Sequence, residues 1–204
     1  MQVKKLLFIA LGFALLALPA AALSDPSNNP DFNFSRTFEF DPDHTGCPVA
    51  QWVNGAGRAD SKGHTNFGLV LQKNCAITVN ASAGAVGNSI KGTVVNPGPN
   101  MGWDQSPESP CGAGAPRFNV TQQDGSFHFV GGCANATKTT TPDGWTRVRI
   151  DPYNPAQAFP VLNPLSGIAE ISILVDEPGQ YRVDNIMINQ RCAEKPGTSR
   201  ACQP

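Results

Sequence analysis

Short apolar runs separated by turn residues are the feature that most constrains the fold of this chain. Glycine and proline are scattered along the whole sequence, in 20 and 18 copies, and they interrupt any long helix. After residue 22 no window shows the 3.6-residue apolar period of an amphipathic helix, whereas several runs alternate between apolar and polar residues. The pattern predicts an all-β sandwich or barrel of about nine strands, as one domain over residues 31–192.

The first 22 residues have the three parts of a secretory signal peptide. Lys4 and Lys5 give a positive start, an apolar run follows from Leu6 to Leu18, and small residues precede a cleavage point after Ala22. That run is too short to span a bilayer as a helix, which needs about 20 residues. We therefore expect a cleaved export signal, a loose segment over residues 23–30, and a secreted protein, extracellular or periplasmic, that no membrane segment retains.

Export allows the six cysteines to be interpreted as disulfides. An even number of cysteines in an exported chain predicts up to three bridges, for which about fifteen pairings exist. Proximity in the sequence favours Cys192–Cys202, a hairpin would bring Cys111 close to Cys133, and elimination leaves Cys47–Cys75. Residues 193–204 are predicted to be a C-terminal tail. Neither cysteines nor histidines have zinc-site spacing, so no zinc site is expected.

Two segments near the start and middle of the domain predict aromatic strand faces. Residues 32, 34, 38 and 40 are all phenylalanine, which predicts a first strand with one aromatic face. Asp124-Gly125 predicts a two-residue hairpin turn with Val120 opposite Phe129. In that register one face carries Phe118, Val120, Phe127 and Phe129.

The closing strand, residues 181–190, loses its alternation at Asp184-Asn185. A β-bulge there would return both Val183 and Ile186 to the core. Residues 96–116 are rich in glycine and proline and are predicted to be a long loop, where function often resides. Further strands are predicted over residues 67–72, 76–81, 90–95, 145–151 and 168–175.

The two ends of the mature chain resemble a known family. Phe38-Glu39-Phe40-Asp41 and Val183-Asp184-Asn185-Ile186 resemble the first and last strands of carbohydrate-binding modules with a galactose-binding-like jelly-roll fold. The resemblance implies a jelly-roll sandwich and a structural calcium ion held by Asp184 together with Asp41 or Asp43. The segment 111–120 is similar instead to uncharacterised secreted bacterial proteins, which implies no activity.

The residues themselves leave the calcium prediction open. Calcium takes about six to eight oxygen ligands, and Asp41-Pro42-Asp43 places two carboxylates close together. The same acids could be ordinary solvated loop residues, and Asp184 could instead cap the proposed bulge.

Charge and motif content restrict the functional classes. The chain has 15 basic and 16 acidic side chains, so it has no positive field that would attract DNA, RNA or anionic lipid. Neither G-x-S-x-G nor H-E-x-x-H occurs, and His44, His64 and His128 have no triad spacing. A small glycoside hydrolase with two carboxylates is the enzymatic alternative. Its candidate acids are Glu39, Glu108, Glu170 and Glu177, which form no paired motif.

Ligand-binding candidates are aromatic residues with polar neighbours, because sugar rings stack on aromatic rings. They are Trp103, in the predicted loop, and Trp145 with Arg147 and Arg149, on one strand face. Trp145 could equally anchor a turn, and the two arginines could form a solvated face. We expect a secreted, non-catalytic sandwich that binds a glycan or another cell-surface component. A structural or adhesive surface protein without a small ligand is the alternative, and no oligomeric state is predicted.

Overall fold

The computed structural model describes residues 32–59, 65–195 and 198–202, so the signal peptide and the segment 23–30 lie outside the described residues. The strands are β1 (Asn33–Phe40), β2 (Pro48–Ala59), β3 (Thr65–Lys73), β4 (Ser82–Asn88), β5 (Met101–Gln105), β6 (Arg117–Gln122), β7 (Phe127–Gly131), β8 (Thr137–Thr140), β9 (Thr146–Ile150), β10 (Ala158–Phe159), β11 (Ile168–Val175), β12 (Gly179–Ile188), β13 (Arg191–Lys195) and β14 (Thr198–Ala201). Among the described residues, a 3-10 turn spans Cys133–Asn135. No helix among the described residues has the length and apolarity to cross a membrane.

The strands form two antiparallel sheets that pack face to face. The six-stranded sheet has the order β1-β4-β11-β6-β7-β10. The eight-stranded sheet has the order β14-β13-β12-β5-β9-β8, with β3 also paired to β12 and β2 paired to β3. Within this arrangement β3 pairs with β12, β4 with β11, β5 with β9, and β6 with β7. Such nested pairing across two sheets is the jelly-roll path, so the predicted all-β jelly-roll sandwich is confirmed.

The hydrophobic core lies between the sheets. Trp103 of β5 and Phe118 of β6 meet across the interface with ring centroids 5.6 Å apart. Burial of each such side chain contributes about 1.5–3 kcal/mol. The other large, fully buried side chains include Phe34, Leu69, Leu71, Met101, Ile150, Ile171, Ile173 and Tyr181.

The predicted disulfide pairing is confirmed at every cysteine. Cys47–Cys75, Cys111–Cys133 and Cys192–Cys202 close segments of 28, 22 and 10 residues. Each bridge restricts the unfolded chain and so stabilises the folded one. The third bridge lies in the region predicted to be a tail, where β13 and β14 extend the eight-stranded sheet beside β12.

Strand predictions from alternation are confirmed at β3, β9, β11 and β12. The pairing of β12 with β5 shifts between Asp184 and Met187, and both Val183 and Ile186 are fully buried, so the predicted bulge is present. The prediction of strands over residues 76–81 and 90–95 is wrong, because the strand in this region is β4, which lies between the two segments. Its residues are small: a Cβ at Gly84 would lie 2.5 Å from the Phe38 ring, which is too close.

The predicted loop over residues 96–116 is wrong at Met101–Gln105, which forms β5. All five residues of β5 are buried, because one face packs in the core, where Trp103 meets Phe118, and the other lies under the arginines that converge on Asp104. A strand covered on both faces shows no alternation of apolar and polar residues. The sequence pattern therefore could not indicate it.

The β6–β7 hairpin is confirmed, but its predicted register is wrong by one residue. The Gln122 N–H donates to the Ser126 carbonyl at 2.9 Å, and Gly125 has a φ of 85°, so the loop has three residues, with a left-handed glycine at its end. Asn119, not Val120, lies opposite Phe129. A one-residue shift exchanges the faces of a strand, so β7 turns its phenylalanines outward.

The first strand also places its aromatic residues on two faces. Phe32 and Phe34 are buried, whereas Phe40 is 48% exposed. The pairing of β1 with β4 shifts between Asn33 and Arg36, and this irregularity reverses the facing of the residues that follow. The expectation of a single aromatic face is therefore wrong, and Phe38 lies on the outer side of the sheet over Gly84.

Candidate functional site

The outer surface of the six-stranded sheet carries a row of side chains that crosses every strand of that sheet. Antiparallel register aligns, in spatial order, Phe159, Phe129, Asn119, Ser172, Val86 and Arg36. With strands about 4.8 Å apart, the row is about 24 Å long. We call this surface the aromatic face; its other members are Phe38, Asn88, Thr121, Phe127 and Glu170.

Three phenylalanines dominate one end of the aromatic face. Phe127 and Phe129 are each 46% exposed and contact each other edge to face, with ring centroids 5.1 Å apart. Phe159, which pairs with Phe129, is 77% exposed. Clustered apolar side chains that remain open to solvent mark interaction surfaces.

Arg117 holds Phe129 in position. Its guanidinium carbon lies 5.2 Å from the centre of the Phe129 ring. The same guanidinium donates to Asp176 Oδ1 at 2.7 Å, to the Gly114 carbonyl at 2.8 Å and to Asn119 Oδ1 at 3.1 Å. Because Arg117 is fixed by these bonds, the ring beneath it is organised before any ligand arrives.

Two open grooves flank the ridge that Phe127 and Phe129 form. The first has a volume of about 490 Å³, and its lining includes Arg36, Asn88, Asn119, Thr121, Glu170 and Ser172. The second, of about 470 Å³, lies on the side of Phe129 and Phe159. Both volumes fall within the range of ligand sites, which runs from about 300 to 1,000 Å³.

No match was found. The chain was compared with protein-family models, with curated proteins and with solved structures, and none of the three comparisons gave a similar protein. The resemblance of the terminal strands to carbohydrate-binding modules therefore stays a prediction.

Trp103, a predicted ligand-binding residue, lies in the core. Its side chain has no exposed surface, and its Nε1 donates to Gln105 Oε1 at 3.2 Å. It was expected in a loop, but β5 places it between the sheets. In this position the ring has no free face on which a sugar could stack.

Arg147 and Arg149 share one strand face, as predicted, but they bind a buried carboxylate. Asp104 is fully buried and accepts from Arg147 Nε at 3.1 Å and from Arg58 Nη1 at 2.5 Å; Arg149 Nη1 lies 3.6 Å away. Asn185 Nδ2 also donates to Asp104, at 2.9 Å. We call these five residues the Asp104 cluster.

Burial and a neighbouring charge act in opposite directions on Arg149 of the Asp104 cluster. Burial lowers the pKa of Arg149 to about 10, while the charge of Asp104 opposes this fall, so the guanidinium stays charged near neutral pH. Arg58 extends the network to Asp143 through two hydrogen bonds of 2.9 Å. Partial burial acts to raise the pKa of Asp143, but the hydrogen bonds from Arg58 and Thr141 hold it below its usual value.

Trp145 is half-buried beside the turn that leads into β9. Its carbonyl accepts from the Thr141 N–H at 2.8 Å and from Thr141 Oγ1 at 3.1 Å. These bonds close the turn over residues 142–144 through the backbone of Trp145 and do not involve its indole ring. A ligand-binding role for Trp145 stays a prediction.

Two of the three acids predicted to bind calcium accept hydrogen bonds from the protein. Asp41 accepts from the Thr45 N–H at 3.0 Å and from the Gly46 N–H at 2.6 Å, and these bonds lower its pKa. Asp184 accepts from the backbone N–H of Arg58 at 2.8 Å, within the bulge of β12. Asp43 is exposed. Over the described ranges no group of three or more His, Cys, Asp or Glu side chains is arranged for a metal, and the calcium site stays a prediction.

A serine–histidine contact lies at the hairpin end, where sequence spacing gave no signal. His128 is 2% exposed; its Nε2 lies 2.7 Å from Ser126 Oγ and its Nδ1 lies 2.9 Å from the Pro160 carbonyl oxygen. The nearby carboxylate, Asp124, bonds the serine and not the histidine. The N–H groups of residues 124, 125 and 126 all donate within the protein, so they form no oxyanion hole. The contact therefore closes the turn and does not form a catalytic triad.

Proposed function

We propose that this protein is a secreted, non-catalytic jelly roll that binds a glycan on the aromatic face. The observation that carries the proposal is the row of side chains across the six-stranded sheet, with Phe159 and Phe129 at one end and Asn119, Ser172 and Arg36 among the side chains further along. Sugar rings present C–H faces that stack on aromatic rings, while their hydroxyl groups need donors and acceptors. Asn119, Thr121 and Ser172 supply both along the groove floor.

The shape of the face favours a chain over a small enclosed ligand. Both grooves are open, and they lie on either side of the Phe127–Phe129 ridge. A row of about 24 Å can contact several sugar rings at once. Export, which three disulfides and the signal-peptide pattern support, would bring the face to extracellular or periplasmic polymers.

The distribution of carboxylates favours binding over glycoside hydrolysis. Hydrolysis uses two carboxyl groups about 5–9.5 Å apart on either side of the scissile bond. Glu170 is the one acid that lines the first groove. The other candidates bond elsewhere in the protein: Glu39 accepts from Ala50 N–H, Glu177 from Gly114 N–H, and Glu108 faces Arg182.

Retention on immobilised polysaccharides tests the proposal. We expect the mature protein to bind at least one glycan of an array without releasing reducing sugar. Phe127→Ala and Phe129→Ala should each weaken binding by about tenfold or more, because exposed aromatic anchors supply a large share of binding energy. Phe67→Ala is the matched control, since Phe67 is 37% exposed but lies on β3 of the eight-stranded sheet.

Each other outcome changes the functional class. Retention that survives both Phe127→Ala and Phe129→Ala would place the ligand elsewhere on the molecule. Release of reducing sugar that disappears in Glu170→Gln would make the protein a hydrolase. Failure to retain any glycan would favour the structural or adhesive alternative.

A further inference from the structure

One arginine differs from the others whose side chains the structure describes. Arg58, Arg147 and Arg149 face Asp104, while Arg117 and Arg182 face Asp176 and Glu108. Arg191 also has a partner within the protein. Within the same described ranges, Arg36 is exposed, and its side chain has neither a hydrogen bond nor an ion pair.

Arg36 lies in the first groove, at the end of the row opposite the phenylalanines. Its neighbours across the sheet are Val86 and then Ser172, which are uncharged. The phenylalanine end, at Phe129, is four strands away, about 19 Å. A ligand that touched both ends would therefore stack on the rings and meet a guanidinium several sugar units further along.

Glu170, the acid of the first groove, does not neutralise Arg36. It lies two strands and two residues away, so the Cα atoms are about 12 Å apart. Exposed charges at that separation are largely screened, because the Debye length at physiological salt is about 8 Å. Among the described side chains Glu170 also has no hydrogen bond or ion pair, which leaves its oxygens free to accept from sugar hydroxyls.

A guanidinium without a protein partner has a preferred ligand. Its planar fork donates two parallel hydrogen bonds to a carboxylate or sulfate, and such charge-assisted pairs are about twice as strong as neutral ones. A neutral sugar would use only part of this capacity. The position of Arg36, at the end of the row opposite Phe129 and Phe159, also sets where along the glycan the acidic group must lie.

We propose that the aromatic face selects glycans that carry an acidic group, and that Arg36 is the residue that binds this group. The inference rests on the proposed glycan-binding function and specifies its ligand class. It assigns the phenylalanine end to the uncharged part of the chain and the Arg36 end to the acid. Arg36 thereby determines specificity, whereas the phenylalanines supply affinity.

Titration calorimetry with matched oligosaccharides tests this assignment on the mature protein. The probes are a galacturonate hexamer, its methyl ester, and sulfated and desulfated carrageenan oligosaccharides. We expect at least one acidic probe to bind about tenfold more tightly than its uncharged counterpart. Raising the salt concentration should weaken the acidic probe alone.

Two substitutions that each remove one positive charge test which arginine causes the preference for the acidic probe. Arg36→Gln should abolish the difference between the acidic and uncharged probes, mainly by weakening the binding of the acidic probe. Arg182→Gln makes the same change of charge on β12 of the other sheet, and should preserve the difference. Glu170→Gln should preserve the preference for the acidic over the uncharged probe, because the charge of Glu170 is screened from Arg36.

The outcomes separate this inference from the proposed function. Preference for the carboxylate or for the sulfate probe supports the inference and identifies the group. Equal binding of charged and uncharged probes, or a preference that survives Arg36→Gln, overturns acid selection and leaves glycan binding in place. Failure of every probe and of every neutral glycan on the array overturns both.

Discussion

The two sheets of the sandwich both carry arginines on their outer sides, but in different electrostatic surroundings. On the eight-stranded sheet, Arg147 and Arg149 have side chains 20% and 15% exposed, and they converge with Arg58 on the buried Asp104. On the six-stranded sheet, Arg36 stands beside a groove without a partner among the described residues. One sheet uses its arginines to hold strands together, and the other leaves an arginine available.

The difference explains why residue type alone does not show which arginines are paired inside the protein. A buried charge is tolerated only where partners compensate its lost hydration, so the Asp104 cluster is a closed network. Ligand recognition needs the opposite, a charged group that remains solvated until the ligand replaces the water. Arg147 and Arg149 fit the sequence pattern of a binding face, yet their guanidinium groups face the Asp104 carboxylate.

Removal of the Asp104 carboxylate should have the largest effect on stability. Asp104→Ala would leave buried guanidinium groups uncompensated, so we expect the free energy of unfolding to fall by about 3–5 kcal/mol, measured by urea denaturation. Arg36→Gln should change it by less than about 0.5 kcal/mol, because Arg36 is exposed and unpaired. A loss below about 1 kcal/mol in Asp104→Ala would contradict the structural role of the cluster.

A second pair of substitutions tests which phenylalanines belong to the core. Phe118 is fully buried, so Phe118→Ala should lower the free energy of unfolding by about 3–5 kcal/mol. Phe129 is 46% exposed, so Phe129→Ala should lower the free energy of unfolding by less than about 1 kcal/mol, although it is expected to weaken the proposed glycan binding. Equal losses would favour the register with both rings on one face.

The smallest effect concerns acid stability at the hairpin end. Hydrogen bonds from the Ser126 hydroxyl, then from its N–H, and then from Asn163, lower the pKa of Asp124 to about 2. Because the folded value lies below the unfolded one, near 3.9, this contribution is present above about pH 4 and is lost as pH falls toward 2. Asp124→Asn should therefore show a shallower fall of Tm between pH 4 and 2. A fall as steep as that of the unmodified protein would show that Asp124 is not responsible.

The sequence by itself determined the features that depend on local pattern. Turn residues between short alternating runs fixed the all-β class, the interruption at Asp184-Asn185 located the bulge, and cysteine spacing indicated the bridges. The alternation signal succeeds because a strand covered on one face has an apolar residue at every second position. Asp124-Gly125 likewise located the hairpin, although it did not determine whether the loop has two residues or three.

Only the tertiary structure decided which faces are covered and which charges are paired. The third loop residue at the hairpin turned Phe127 and Phe129 outward, and thereby created the aromatic end of the candidate site. Arg58 and Asp104 meet across 46 residues of sequence, a separation that no local period encodes. Alternation reports that a strand has two faces; whether a face meets core, a buried carboxylate or water depends on strands distant in the chain, which is why the site could not be identified from the sequence.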